Sequence, residues 1–103
     1  MFTPRYQNEQ TDRLVDALLT LETEEELYRF LEDVLTIQEM KSITQRLEVA
    51  VMLRSKETYQ EIVRKTGAST TTIGRVNRAL QYGADGYDIA LSRLPSENNA
   101  PQK

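Results

Sequence analysis

Residues 58–82, TYQEIVRKTGASTTTIGRVNRALQY, constrain this chain more than any other stretch. Gly67 separates two short segments of helical period, and a glycine there supplies the left-handed backbone that a tight turn requires. Thr58 with Glu61 marks the first segment as starting in a capping box, and Ser69 caps the second. In the first, residues 59–66, Ile62 and Val63 are expected to turn inward. In the second, residues 69–82, Ile73, Val76 and Leu80 recur at i, i+3 and i+7 as a buried stripe. The opposite face carries Thr70, Thr71, Gly74, Arg75, Asn77 and Arg78. Two short helices, a tight turn and a polar face on the second describe a helix-turn-helix, whose second helix is presented to the DNA major groove.

The chemistry of that face suits a duplex. Hydroxyls at Ser69, Thr70 and Thr71, with the free N–H groups of the helix start, can bond phosphate or base edges. Arg75 and Arg78 have the reach for guanine edges or phosphates, and Asn77 the donor and acceptor pair for adenine. Arg64, Lys65 and Thr66 end the preceding helix, where it would meet the DNA backbone. The same residues also have a plainer reading. A Ser/Thr run at a helix start is commonly only a cap, Thr72 can simply support Ser69, and exposed arginines are commonly solvated surface. The motif also departs from the commonest pattern, with Val63 at a position that often holds Ala or Gly and Thr66 at one usually apolar.

Charge location favours the DNA reading. The 103-residue chain has a net charge of −3, which by itself suits a DNA binder poorly. Residues 1–45 carry four Lys/Arg against ten Asp/Glu, whereas residues 46–78 carry seven against three. The positive charge is therefore gathered around the helix-turn-helix, where phosphate attraction needs it. With no Cys and no His, disulfides, the usual zinc sites and His-based catalysis are excluded. No Asp/Glu pair sits in an evident apolar pocket, so an enzyme is the weakest reading. A hydrophobic fraction of 39% and a charged fraction of 28% suit a soluble globular protein. No apolar run of membrane-crossing length or charged-then-apolar leader is present, and a cytoplasmic home, consistent with the missing cysteines, is the expectation.

The remainder reads as an all-α scaffold of about six helices in one helical domain, residues 8–94. Residues 1–7 form an N-terminal arm, and residues 95–103, polar and broken by proline, a disordered tail. A first helix from Asn8 has an apolar stripe of Leu14, Val15, Leu18, Leu19 and Leu21. Thr23 with Glu26 and Thr36 with Glu39 fit two further capping boxes. They start a second helix, residues 24–35, and a third, residues 37–53. The second buries Leu27, Phe30, Leu31, Val34 and Leu35, and opens on three glutamates that suit its dipole. The third shows a stripe of Ile37, Met40, Ile43, Leu47, Ala50, Val51 and Leu53, with Val49 and Met52 outside it. A helix apolar over so much of its circumference needs cover on more than one side, and in a short chain a second subunit is the simplest cover. A homodimer follows, with this helix as its central strut. A last helix starts near Asp85 and offers Tyr87, Ile89, Ala90, Leu91 and Leu94.

LTIQEMKSITQRLEV at 35–49, QEIVRKTGAS at 60–69 and TTTIGRVNRAL at 70–80 resemble the central helix entry and the paired DNA-reading helices of the Trp repressor superfamily. The likeness extends over residues 10–94 and is nearest to the bacterial Trp-repressor-like group of YerC/YecD type. It implies an intertwined homodimer, with operator binding as a transcriptional repressor. It also implies an effector pocket at Thr36, Arg46, Arg75, Val76 and Ala79. Thr36, Arg46 and Arg75 match the family's tryptophan-binding positions. Val76 stands where tryptophan binders have Gly, and Ala79 where they have Ser. Val76 would intrude on an indole ring and Ala79 cannot accept from the ligand's amino group, so the expectation is no tryptophan and no other assigned cofactor. The competing reading is a helical protein-interaction module that has kept the fold and lost DNA, which the overall acidity and the Glu-rich second helix favour.

Overall fold

The computed structural model describes residues 1–95, which form six helices and no strand. They are α1 (Glu9–Thr20), α2 (Glu24–Val34), α3 (Ile37–Arg54), α4 (Tyr59–Thr66), α5 (Thr70–Tyr82) and α6 (Gly86–Arg93). The expected tail falls outside the described residues apart from Pro95. The helix starts follow the caps read from sequence, but only one of the three boxes closes. Thr36 Oγ1 accepts from Glu39 N at 3.1 Å while Glu39 Oε1 accepts from Thr36 N at 2.9 Å. At α2 the hydroxyl half forms, yet Glu26 reaches past Thr23 to the Glu22 N–H at 2.7 Å. At α4 Thr58 accepts from Glu61 N at 3.2 Å, while the Glu61 carboxylate takes Arg64 instead. A further reciprocal box, Asn8 with Thr11, starts α1 and uses a hydroxyl where the familiar pattern has a carboxylate.

The chain divides into two compact units, one from Met1 to Lys41 and one from Ser42 to the C terminus, with the division inside α3. The first holds α1, α2 and the first turn of α3. No residue of α1 or α2 is buried, and Leu14, Val15, Leu19, Leu27 and Val34 are exposed. The expectation that α2 buries its stripe is therefore corrected: Leu27 and Val34 are exposed and Phe30, Leu31 and Leu35 only half-buried, because this unit has no buried core. The second unit holds the core. Val49, Ala50 and Met52 of α3, Ile62 of α4, Ala68 of the turn, and Ile73 and Val76 of α5 are all buried. Leu53, Leu80, Tyr87 and Leu91 pack against them.

Two further expectations need correction. Val63 does not turn inward; it is 37% exposed, because it follows Ile62 around α4 and only Ile62 faces α3 and α5. On α3, Val49 and Met52 are not peripheral but belong to the core, while Ile37 and Ile43 of the expected main stripe are exposed. The reason is that α3 has two apolar faces, and the helix-turn-helix covers the one bearing Val49, Ala50 and Met52.

The turns around α4 are set by left-handed residues. After α3, Lys56 adopts φ 60°, and bonds from Lys56 N to Leu53 O (3.0 Å) and Glu57 N to Met52 O (3.1 Å) close a Schellman turn. After α4, Gly67 has φ 73° and donates to Val63 O at 2.8 Å. Lys56 shows that the first turn is formed despite the Cβ cost, whereas the second uses the residue without one.

Candidate nucleic-acid interface

The surface of α5 divides cleanly. Ile73 (0% exposed) and Val76 (2%) anchor it in the core, and Leu80 continues that side. Ser69, Thr70, Thr71, Arg75 and Arg78 are exposed, with Gly74 between them half-buried. A Cβ at Gly74 would meet nothing within 4 Å, so the glycine leaves open space in the middle of the exposed stripe. Ser69 Oγ accepts from Thr72 N and donates to Thr72 Oγ1, both at 3.1 Å, so Thr72 supports the cap as the plainer reading has it. Ser69 is therefore engaged locally, while the hydroxyls of Thr70 and Thr71 make no side-chain bond to another described residue. Arg75 and Arg78 likewise make no hydrogen bond or ion pair with any described residue. They stand at i and i+3 on one face with Thr71, four positions before Arg75.

Asn77 sits differently. It is half-buried and its Nδ2 donates to Tyr59 Oη at 3.4 Å, which links α5 to the first turn of α4. The structure brings Thr70, Thr71, Gly74, Arg75 and Arg78 together on one open stripe and sets Asn77 at its edge. Thr66 is also occupied internally. Its hydroxyl donates to Ile62 O at 2.7 Å and accepts from Ala68 N at 3.1 Å, and Gln45 Nε2 donates to its carbonyl at 3.1 Å. These bonds explain a polar residue at a usually apolar position. Of the backbone groups served, Thr66 O and Ala68 N lie at or beyond the end of α4, where the helix itself supplies no partner.

Arg64 and Lys65 are exposed, as expected, but neither is free. Arg64 Nη2 lies 2.7 Å from Glu61 Oε2, and Lys65 Nζ lies 2.8 Å from Glu57 Oε1. The hydrogen bond and charge of Arg64 hold the Glu61 carboxyl below its usual range, and Glu61 in turn raises Arg64. Glu57 raises Lys65 in the same way, with a smaller contribution from Glu61. Sequence reasoning missed both acids. Glu61 was legible as an i, i+3 partner of Arg64, but Glu57 lies eight residues before Lys65 and meets it only through the turn at Lys56.

The residues matched to an effector pocket are not brought together by anything within a single unit. Thr36 is an exposed cap in the first unit, beside a shallow groove lined by Tyr28, Arg29, Leu35 and Met40. Arg46 and Arg75 are exposed in the second unit, Arg46 donating to Ser42 Oγ at 3.1 Å. Val76 is core and Ala79 half-buried. Among the described residues there is no cluster of side chains able to hold a metal, and no helix long and apolar enough to cross a membrane.

This arrangement has counterparts. Residues 9–95 match the family model for the Trp repressor protein. The protein YerC of Bacillus subtilis (strain 168) is 49% identical over 90 residues, covering 87% of this chain and 86% of its own. The crystal structure of a TrpR-like protein from Eubacterium eligens ATCC 27750 superposes with a TM-score of 0.80 at 52% identity, covering 84% of this chain and 90% of that one. A solved structure from Staphylococcus aureus gives the same TM-score at 44% identity, over 93% of each chain. Sequence and backbone agree across nearly all the described residues, and the chain belongs to the Trp repressor family.

Proposed function

We propose that this chain is a homodimeric transcriptional regulator, acting as a repressor, that reads a specific DNA sequence by laying α5 in the major groove. Membership of the family supports DNA-binding regulation over catalysis. The observation that carries the specific reading is the stripe on α5. Thr70, Thr71, Arg75 and Arg78 are exposed around the open position at Gly74, on a helix whose other face is locked by Ile73 and Val76. A helix held rigidly by its buried side and free of partners on its outer side has donors available for base edges and phosphates. A cytoplasmic site of action accompanies a DNA partner. Random-site selection with the purified chain tests the reading. It should enrich a two-part site whose halves lie about one helical turn apart, roughly 10 base pairs. A pool with no enriched sequence would remove it.

The dimer rests on the apolar surface that one chain leaves open. Leu19 is 77% exposed and Ile37 72%, alongside Val15, Val34 and Ile43. Large apolar side chains left open in each unit support association with a second copy, and α3 contributes Ile37 and Ile43 to them. Light scattering on the purified chain should give about twice 11.9 kDa. A monomer mass at micromolar concentration would contradict the homodimer.

Tryptophan is not the effector in this reading. Val76 is buried in the core, where its side chain takes the space an indole ring would need, and Ala79 offers no hydroxyl. Titration with tryptophan should give no binding heat and leave DNA affinity unchanged. Saturable micromolar binding would overturn the argument from these two positions.

A further inference from the structure

We propose that Glu57 and Glu61 are positioning residues for DNA binding, holding Lys65 and Arg64 as intramolecular substitutes for phosphate, so that α4 contributes little net attraction and binding rests on α5. This inference depends on the DNA reading above. Residues 46–78 carry seven cations, and they are not equivalent. Arg75, Arg78 and Lys56 have no side-chain partner among the described residues. Arg64 and Lys65, at the end of the helix that precedes the recognition helix, are each held by a carboxylate at hydrogen-bond distance.

The acids are fixed by the fold. Glu61 stands in the first turn of α4 one helical turn from Arg64, and its backbone N–H is held by Thr58. Glu57 is held by its N–H bond to Met52 O, which closes the turn at Lys56, and it is the least exposed of the four charged side chains. The four charges also act on one another, since Glu57 influences Arg64 and Glu61 influences Lys65. The group is electrically neutral as a whole. A cation that left its glutamate for a phosphate would leave an uncompensated carboxylate beside the duplex. The exchange gains no net neutralisation, and counterion release follows net neutralisation. Long-range attraction therefore falls to the unpaired cations, and two of those lie on the face of α5 that would read bases.

The test compares salt dependence of binding to a selected duplex and to a random duplex, using the full chain. The charge-conserving variant Glu57→Gln/Glu61→Gln/Arg64→Gln/Lys65→Gln should keep the slope of log affinity against log salt. A slope shallower by about two would overturn the inference, because it would mean that both cations contact phosphate in the unmodified protein. Glu57→Gln/Glu61→Gln should steepen the slope by nearly two, at roughly 0.9 per phosphate newly neutralised, with equal gain on both duplexes. An unchanged slope there would also overturn it. Circular dichroism checks folding, and the pairwise variants Glu61→Gln/Arg64→Gln and Glu57→Gln/Lys65→Gln carry the same expectation if the fourfold variant does not fold. Failure of the unmodified chain to bind either duplex at low salt would remove the DNA reading, and this inference with it. Binding without the predicted slopes removes the inference alone.

Discussion

Ile73→Ala is expected to lower the free energy of unfolding by about 3 kcal/mol, read from the shift in denaturant midpoint. Ile73 is fully buried and lies at the meeting of α3, α4 and α5. The substitution removes three carbons from a core of seven buried side chains among the described residues, so little else can close over the space. The range for such truncations is roughly 2–5 kcal/mol, which is large against the usual stability of a small domain. Ile62→Ala should behave alike, since Ile62 is the single residue of α4 that is buried. By contrast Val63→Ala, at an exposed position, should shift the midpoint by well under about 1 kcal/mol. Equal losses at positions 62 and 63 would mean that α4 packs through a different face.

The second large effect is on binding. Arg75→Ala with Arg78→Ala should cost about 3 kcal/mol of affinity for the selected site, near a hundredfold, at one stated salt concentration. Helical content should not change, because neither side chain has a partner among the described residues whose loss could unsettle the fold. That separates the prediction from Ile73→Ala, which would weaken binding only by weakening the scaffold. If the double arginine variant bound the selected site as tightly as the unmodified chain, α5 would not be the reading helix.

The helix-turn-helix was legible because its signals are local. Thr58, Gly67 and Ser69 punctuate the chain through their own backbone and side-chain chemistry: α4 begins after Thr58 and ends before Gly67, and α5 begins after Ser69. The inward course of Ile73 and Val76 follows from the helical period alone. The faces of α3 were less legible. Its apolar residues surround much of the helix, and periodicity cannot say which face its own chain covers. Only the arrival of Ile62, Ile73 and Val76 shows that Val49 and Met52 are core. The same limit applies to the polar residues. Asn77 reads as a base contact from its place on the helix wheel, but Tyr59, eighteen residues earlier, engages its amide. Lys65 reads as a phosphate contact, but the turn at Lys56 delivers Glu57 to it. Partners brought together by a turn rather than by a helical repeat leave no periodic trace in the sequence.

In the proposed function α5 is the element that reads DNA sequence. That role is tested most directly by the salt-dependent affinity of the unmodified chain for its selected duplex against a random duplex of equal length. The predicted result is a falling affinity with salt on both, and tighter binding to the selected duplex by at least about a thousandfold at physiological salt. Equal affinity for the two duplexes, or none for either, would contradict it and would leave the helical protein-interaction module as the better reading.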